Sequence, residues 1–256
     1  DEAEYAKQKG IKLVVTDHHR VGDILPDCYA VVDPYREDCR CRFKSFAGVG
    51  VVFKLLCALE GGDADSILEA YSDIIALGTI GDVMPLIDEN RLIVRRGVEM
   101  INNSERPGVL SLREAAGQSE KRVTAGSLAF TLIPRINAAG RMGNPTRALN
   151  LLLCDDSDLS SDLAGEIDEA NVQRHKIELE ILEEIKQKFI DNPSLKYDRI
   201  IVVDGENWPN GVIGIVAAKL VEIFGKPAIV IAKNGEDARG SGRSFEGFSL
   251  YDAIKA

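Results

Sequence analysis

Apolar residues recur along this chain in two alternating styles, short β-branched runs and longer stretches spaced every three or four residues. The alternation predicts an α/β protein. Glu2 to Lys9 reads as the end of a helix, Lys12 to Thr16 as a buried strand and Ala30 to Val32 as a second short strand. From Phe46 to Leu56 the residues are apolar on nearly every face, which predicts a helix buried all round rather than an amphipathic one. Ser66 to Ile80 continues as a helix and runs into Gly81-Asp82-Val83-Met84-Pro85-Leu86, so Asp82 is presented at an element's end. Further helices are expected at Arg91 to Ile101, Ala125 to Leu132 and Thr146 to Leu153. Between the last two, Pro134 to Gly143 is rich in small residues and reads as a loop that lets backbone approach a ligand closely.

Asp158 to Ile190 is one long helical pattern, with Leu159, Leu163, Ile167, Ile177, Ile181, Ile185 and Phe189 on its apolar stripe. At 1.5 Å per residue it spans roughly 45 to 50 Å, enough to bridge two domains. Asn171 and Arg174 fall on that stripe, where buried polar groups must be paired. They either face an interdomain cleft or form a structural hydrogen-bond network, whereas His175 lies off the stripe and is expected to be exposed. Asp191 to Ser194 ends the helix and marks a domain boundary. A fresh α/β unit follows, with a strand at Arg199 to Val203, a helix at Val212 to Phe224 and a strand at Ala228 to Ala232. The chain opens on charged helical residues with no preceding strand and closes at Lys255-Ala256 partway through an apparent helix. The expectation is therefore an α/β fold with a truncated parallel-sheet domain over 1–155, a connecting helix over 156–193 and a smaller truncated α/β domain over 194–256.

With 256 residues the chain can bury a sizeable core, and its 45% hydrophobic and 28% charged composition fits a globular protein without a membrane span or signal peptide. A cytoplasmic location is the expectation. Cys28, Cys39, Cys41, Cys57 and Cys154 make an odd set without a C-x-x-C pair, which suggests neither a disulfide framework nor a thiolate zinc site. A net charge of −10 argues against a protein that coats nucleic acid through a broad basic surface. It leaves room for a narrow groove in which bound cations and a few aimed arginines hold phosphates.

The chemistry concentrates where the first strand stops, at Asp17-His18-His19. A strand ending in an acid and two imidazoles brings divalent-cation ligands to the carboxyl edge of a parallel sheet, where open α/β folds bind their ligands. Taken alone, an Asp can also cap the next turn and a His can pack quietly at a strand end. Carboxylate plus imidazole suits Mn²⁺, Mg²⁺ or Zn²⁺, and ligand softness does not choose among them. Arg135 and Arg141 can grip phosphate oxygens in bidentate fashion, or be surface arginines of a solvated turn. Arg239 to Ser244 alternates small residues with hydroxyl and guanidinium donors and suits a phosphate, although a glycine-rich edge strand looks the same.

In chain order, V-V-T-D-H-H at 14 to 19, L-G-T-I-G-D-V-M-P-L at 77 to 86, P-R-I-N-A-A-G-R-M at 134 to 142, N-x-x-R at 171 to 174, G-V-I-G-I-V-A-A-K-L at 211 to 220 and G-S-G-R-S at 240 to 244 resemble the DHH phosphoesterase superfamily. They resemble most its bacterial RecJ-type single-strand-specific exonucleases. The resemblance implies a DHH domain and a DHHA1-type domain joined by the long helix, with the active site in the cleft. It implies a centre of two divalent ions, Mn²⁺ or Mg²⁺, hydrolysing DNA phosphodiesters from 5′ to 3′ in repair and recombination. Of that centre's ligands, those of an early D-x-D element and of the next strand should lie before Asp1, and the second domain's Gly-Gly-His element beyond Ala256. On this sequence the resemblance makes His18 a direct ligand, Asp82 a bridging or terminal ligand, and Asp17 a ligand or orienting partner. His19 would lie near the metals and the scissile phosphate, with Asp17 and His19 taking part in catalysis.

The same resemblance assigns Arg141, Arg243 and Ser241 to the phosphate backbone and Asn137 to support of the loop. Arg135, Asn171, Arg174, Trp208 and Ser244 become further nucleic-acid contacts. Relatives commonly carry a histidine just after the tryptophan, where this chain has Pro209, so one contact is in doubt while Trp208 is left to stack on a base or sugar. Single-stranded DNA is the implied substrate, with a single-strand-binding protein and a helicase as partners. With half the metal shell outside this span, weak metal binding and little nuclease activity are expected of the chain alone. Two other readings stay open, a phosphodiesterase of short oligonucleotides or cyclic dinucleotides, and a non-catalytic nucleic-acid-binding module.

Overall fold

The computed structural model describes residues 2–22 and 24–255. In chain order the elements are α1 (Glu2–Gln8), β1 (Val14–Thr16), β2 (Ala30–Val32), α2 (Gly48–Leu59), α3 (Ala64–Gly81), α4 (Asp88–Asn102), α5 (Pro107–Ala115), α6 (Ala125–Phe130), α7 (Leu132–Arg141), α8 (Thr146–Leu153), α9 (Ser157–Asp191), β3 (Ile201–Glu206), α10 (Asn210–Phe224), β4 (Ala228–Asn234), β5 (Asp237–Arg243) and α11 (Leu250–Lys255). No helix among the described residues is long and apolar enough to cross a membrane. The chain forms two compact units, residues 1–134 with 151–161, and residues 135–150 with 162–256. The division between these units falls inside α7, α8 and α9.

In the first unit β1 and β2 run parallel, with Val14 opposite Ala30 and Thr16 opposite Val32. Val14 is 48% exposed, so the first strand is half open rather than buried as its β-branched run suggests. The described sheet has two strands and leaves one side of β1 unpaired. Helix α2 also departs from the all-buried expectation. Gly50, Val51 and Phe53 face the core, while Val52 is exposed and Leu59 is 72% exposed. Phe46, Val51 and Phe53 join Ile67 and Ile75 of α3 and Ile93 of α4 in one core.

Helices α3 and α4 touch closely at Gly97, where a Cβ would stand 2.1 Å from the carbonyl oxygen of Ser72. Two buried charges tie the helical layer together. Asp73 accepts from Arg106 Nε at 2.9 Å just before α5, and Arg113 donates to the carbonyls of Ile101, Gln118 and Lys121. Asp73 is thus paired with a guanidinium and both terminal nitrogens of Arg113 are hydrogen-bonded, as charges away from water require, while the buried Arg113 Nε has no hydrogen-bond partner.

In the second unit β3 and β4 are parallel and β5 returns antiparallel along β4, with Ser241 opposite Val230 and Arg243 opposite Ala228. Strand β3 buries Ile201 and Val203, β4 buries Ala228, Val230 and Ala232, and α10 packs Val212, Ile213, Val216 and Leu220 onto them. Ile181, Ile185 and Phe189 of α9 complete the core, as the predicted stripe requires, whereas Leu159 at its start is exposed. Arg239 to Ser244 thus covers an edge strand and the residue after it. Helix α10 closes on Gly225 at φ +62°, a left-handed cap that favours glycine.

Candidate metal centre and phosphate-binding cluster

The parallel register sets the first site. Asp17 leaves β1 with its N–H donating to the Val32 carbonyl at 3.0 Å, so the strand tip is anchored to β2. Asp17 Oδ1 accepts from the backbone N–H of His18 at 2.7 Å and of His19 at 3.2 Å, and lies 2.8 Å from His19 Nδ1. This turn folds one carboxylate and two imidazoles into a cluster whose ligand atoms lie within 4.8 Å of one another. The two rings stand 4.2 Å apart, His18 largely buried and His19 exposed.

The second acid arrives from α3. Asp82 caps the C-terminus of that helix, and its Oδ2 stands 2.8 Å from His18 Nε2. Gly48, at the start of α2, leaves room beside the same ring: a Cβ there would sit 3.4 Å from His18 Nδ1. The hydrogen bond to Asp17, then the charge of Asp17 and more weakly those of Asp82 and Asp33, hold His19 above the ordinary histidine range. Hydrogen bonding from His19, and then from the two backbone N–H groups, holds the Asp17 carboxyl below the ordinary carboxylate range.

Two carboxylates and two imidazoles are a hard-to-borderline donor set that fits Mn²⁺ or Mg²⁺. Asp17, His18 and His19 could hold such an ion, and Asp82 adjoins the group through His18. Sequence reasoning misses Asp33. This acid leaves β2 as Asp17 leaves β1, is buried and caps the Tyr35 N–H at 2.7 Å. Its place directly after a short strand is the signal that could have found it.

The second cluster lies in the other unit. Arg174 sits on α9 with Nη1 donating to Glu178 Oε2 and Nη2 to Asn171 Oδ1, both at 2.8 Å. Of the two roles open to Asn171 and Arg174, the hydrogen-bond network is therefore present, and the buried Nε of Arg174 has no protein partner. Arg141, at the end of α7, donates to the Gly211 carbonyl at 3.1 Å. The backbones meet so closely that a Cβ on Gly211 would stand 2.2 Å from the Arg141 carbonyl oxygen. Partial desolvation, and then the like charges of Arg174 and Arg243, lower the pKa of Arg141, which stays charged in any case.

Ser241 and Arg243 project from β5 toward Gly214 of α10, where a Cβ would meet Ser241 Oγ at 3.0 Å and Arg243 Nη2 at 3.2 Å. Arg243 Nη1 donates to the Gly242 carbonyl at 2.8 Å, and the buried Ser244 hydroxyl lacks a protein partner. These mutually repelling guanidiniums, with a hydroxyl among them, are groups that could bind a phosphate.

Three expectations need correction. Pro134 to Gly143 is mostly helix, not loop: Pro134 stands in the first turn of α7, where its missing N–H costs nothing, and the small Ala138 and Ala139 are buried. Asn137 therefore lies exposed on a helix and supports no loop, while Arg135 donates to Asp168 of α9 at 2.8 Å. Trp208 is no stacking platform. It is 3% exposed, its Nε1 donates to Glu184 at 2.9 Å, and its indole lies where a Cβ of Gly205 would be, at 2.1 Å. His175 is exposed, as expected.

With a cluster of carboxylates and imidazoles at a strand tip in one unit and a guanidinium cluster in the other, the chain belongs to the DHH family. It matches the DHH family, N-terminal domain, over residues 1–79 and the DHHA1 domain over residues 194–256. Within the family its similarity is to RecJ. It is 40% identical over 259 residues to the single-stranded-DNA-specific exonuclease RecJ of Bacillus subtilis (strain 168), covering 99% of this chain and 32% of that protein. The crystal structure of RecJ in complex with Mn²⁺ from Thermus thermophilus superposes with a TM-score of 0.83 at 33% identity, covering 99% of this chain and 37% of that one. RecJ in complex with Mg²⁺ from the same organism gives 0.77 at 33% identity, over 96% and 36%. The chain thus spans about a third of the length of these relatives.

Proposed function

We propose that this chain is the metal-binding and strand-binding part of a single-stranded-DNA-specific exonuclease that hydrolyses phosphodiester bonds from the 5′ end in DNA repair and recombination. The observation that carries the reading is the meeting of His18 and Asp82 at the tip of β1, beside Asp17 and His19. Divalent ions, when bound there, would supply activation of a water and neutralisation of charge on the phosphate. The chain's own residues do the rest. His18, Asp82 and Asp17 hold the cation, and His19 lies beside Asp17 with an exposed ring to face the reacting phosphate. Arg141, Arg243 and Ser241 grip backbone phosphates, while Arg174 is held in place by Asn171 and Glu178. A single-strand-binding protein and a helicase are the proposed partners, supplying exposed strand in the cytoplasm.

Supporting this reading, RecJ relatives named for single-stranded DNA align over nearly the whole chain, and two RecJ structures carry Mn²⁺ or Mg²⁺. The test is Mn²⁺-dependent binding of a 5′-phosphorylated single strand against a duplex of the same sequence. Preference for the single strand is expected. Extending the chain upstream by an acidic D-x-D strand should then convert binding into release of nucleotides from the 5′ end. Equal affinity for duplex, or release from a dinucleotide in preference to a long strand, would overturn the proposal.

A further inference from the structure

We infer that the Val83 side chain is a substrate contact, an apolar lip beside the metal ligands on which the sugar or base next to the scissile phosphate rests. The inference depends on the proposed nuclease reading and adds a residue to it.

Helix α3 ends in a paired closing motif. The Val83 N–H donates to the Ile80 carbonyl at 3.0 Å and the Met84 N–H to the Thr79 carbonyl at 3.2 Å. That motif puts the residue after the cap in the left-handed region, where glycine is the usual occupant. Here the occupant is valine at φ +56°, whereas Gly225 serves the equivalent end of α10 at +62°. A β-branched residue in that region is a real outlier. The fold takes nothing back from the side chain, which is 86% exposed.

Nor is the segment loose. Asn90, buried on α4, donates to the Pro85 carbonyl at 3.1 Å and to the Ser45 carbonyl at 2.7 Å. A strained residue fixed by its surroundings, adjacent in sequence to a ligand-bearing acid, points to function. Val83 follows directly on Asp82, whose carboxylate meets His18, and Leu86 and Ile87 a few residues on are also exposed. A nucleotide held at Asp82 presents an apolar sugar edge and base face. An aliphatic contact to these is indifferent to base identity.

The experiment compares the wild-type chain with Val83→Asn, which tolerates the left-handed region and is polar, and Val83→Leu, which keeps an apolar surface. Binding of a cleavage-resistant, 5′-phosphorylated, phosphorothioate-linked thymidine oligomer is measured by fluorescence anisotropy in Mn²⁺, alongside Mn²⁺ calorimetry and thermal unfolding. V83N should melt about 2 °C higher, bind Mn²⁺ as wild type does, and bind the oligomer about fivefold more weakly. V83L should bind the oligomer as wild type does. Unchanged oligomer affinity in V83N, a lower melting temperature, or a parallel loss of Mn²⁺ affinity would overturn the contact. Failure of the wild-type chain to bind the oligomer at all would instead break the nuclease reading, and the contact with it.

Discussion

His18 Nε2 and Asp82 Oδ2 stand 2.8 Å apart, although one closes a strand turn and the other caps a helix far along the chain. The pairing depends on α3 ending where it does, because Asp82 takes its position from the last turn of that helix. Removing either group should take a ligand from the cation. His18→Ala and Asp82→Asn are expected to weaken Mn²⁺ binding by at least about tenfold, the scale on which metal sites respond even to outer groups. His19→Ala, changing an exposed ring, should weaken it less. Isothermal titration of the variants with Mn²⁺ checks the order, and an unchanged affinity in D82N would separate Asp82 from the site.

Trp208 tests a different relationship, that between the indole and Glu184. Trp208→Phe keeps most of the apolar volume and loses one hydrogen bond to a charged acceptor, a loss of about 1.5 to 3 kcal/mol. Gly205→Ala forces a methyl group against the same ring, and overpacking of that kind costs about 1 to 3 kcal/mol. Both variants should show lowered urea midpoints while still-folded protein binds single-stranded DNA as before. A large fall in DNA affinity in W208F at unchanged stability would restore the stacking role.

How much of this is legible in the sequence follows from the range of the signals. Val14 to Thr16 and Ala30 to Val32 are readable as strands because β-branched runs and their acid terminators are local. Asp17, His18, His19 and Asp82 are readable because their types carry ligand chemistry wherever they fall. Pro134 to Gly143 misleads because Pro and Gly signal a loop in isolation, whereas Pro134 occupies a first helical turn and Ala138 and Ala139 are small for close packing. Trp208 misleads because an indole beside Pro209-Asn210-Gly211 looks presented, and only tertiary packing on Gly205 shows it buried. Helix α5 escapes notice because it is nine residues long, beginning on Pro107. Short helices carry little periodicity, and this one is fixed by Arg106 and Arg113, whose partners lie elsewhere in the sequence.

Arg141 and Arg243 should reveal themselves through salt. Each phosphate neutralised on a single strand contributes about 0.7 to the slope of log affinity against log salt concentration. Arg141→Ala and Arg243→Ala are therefore each expected to weaken binding of a single-stranded oligomer and to flatten that slope by about one contact's worth. Arg174→Ala should in addition lower stability, because it leaves the buried Glu178 carboxylate without its cation. Titrations across a range of NaCl concentrations check the salt slopes, and urea unfolding checks the stability of R174A. A uniform loss of affinity with an unaltered slope in R141A would place that guanidinium off the phosphates.

The pair Asp204 and Lys233 joins β3 to β4 with Oδ2 and Nζ 2.6 Å apart, and gives the second unit a pH signature. The hydrogen bond from Lys233, and then its charge, hold the Asp204 carboxyl below the ordinary carboxylate range. The same bond, and then the charge of Asp204, raise Lys233 above the ordinary lysine range. A depressed carboxyl stabilises the fold at every pH above its unfolded value and loses that contribution as pH falls through the lower folded value. A raised lysine contributes below its unfolded value and loses that contribution as pH rises through the higher folded one. The pair's contribution is thus flat through neutrality and decays at both extremes. Its size is modest because both side chains are nearly half exposed. Asp204→Asn should lower the urea midpoint slightly at about pH 7, and the gap to wild type should close as pH falls below the ordinary carboxylate range. Added salt should shrink the gap at neutral pH. A difference between the two proteins that stays constant from neutrality into acid would show that Asp204 acts through packing and not through its charge.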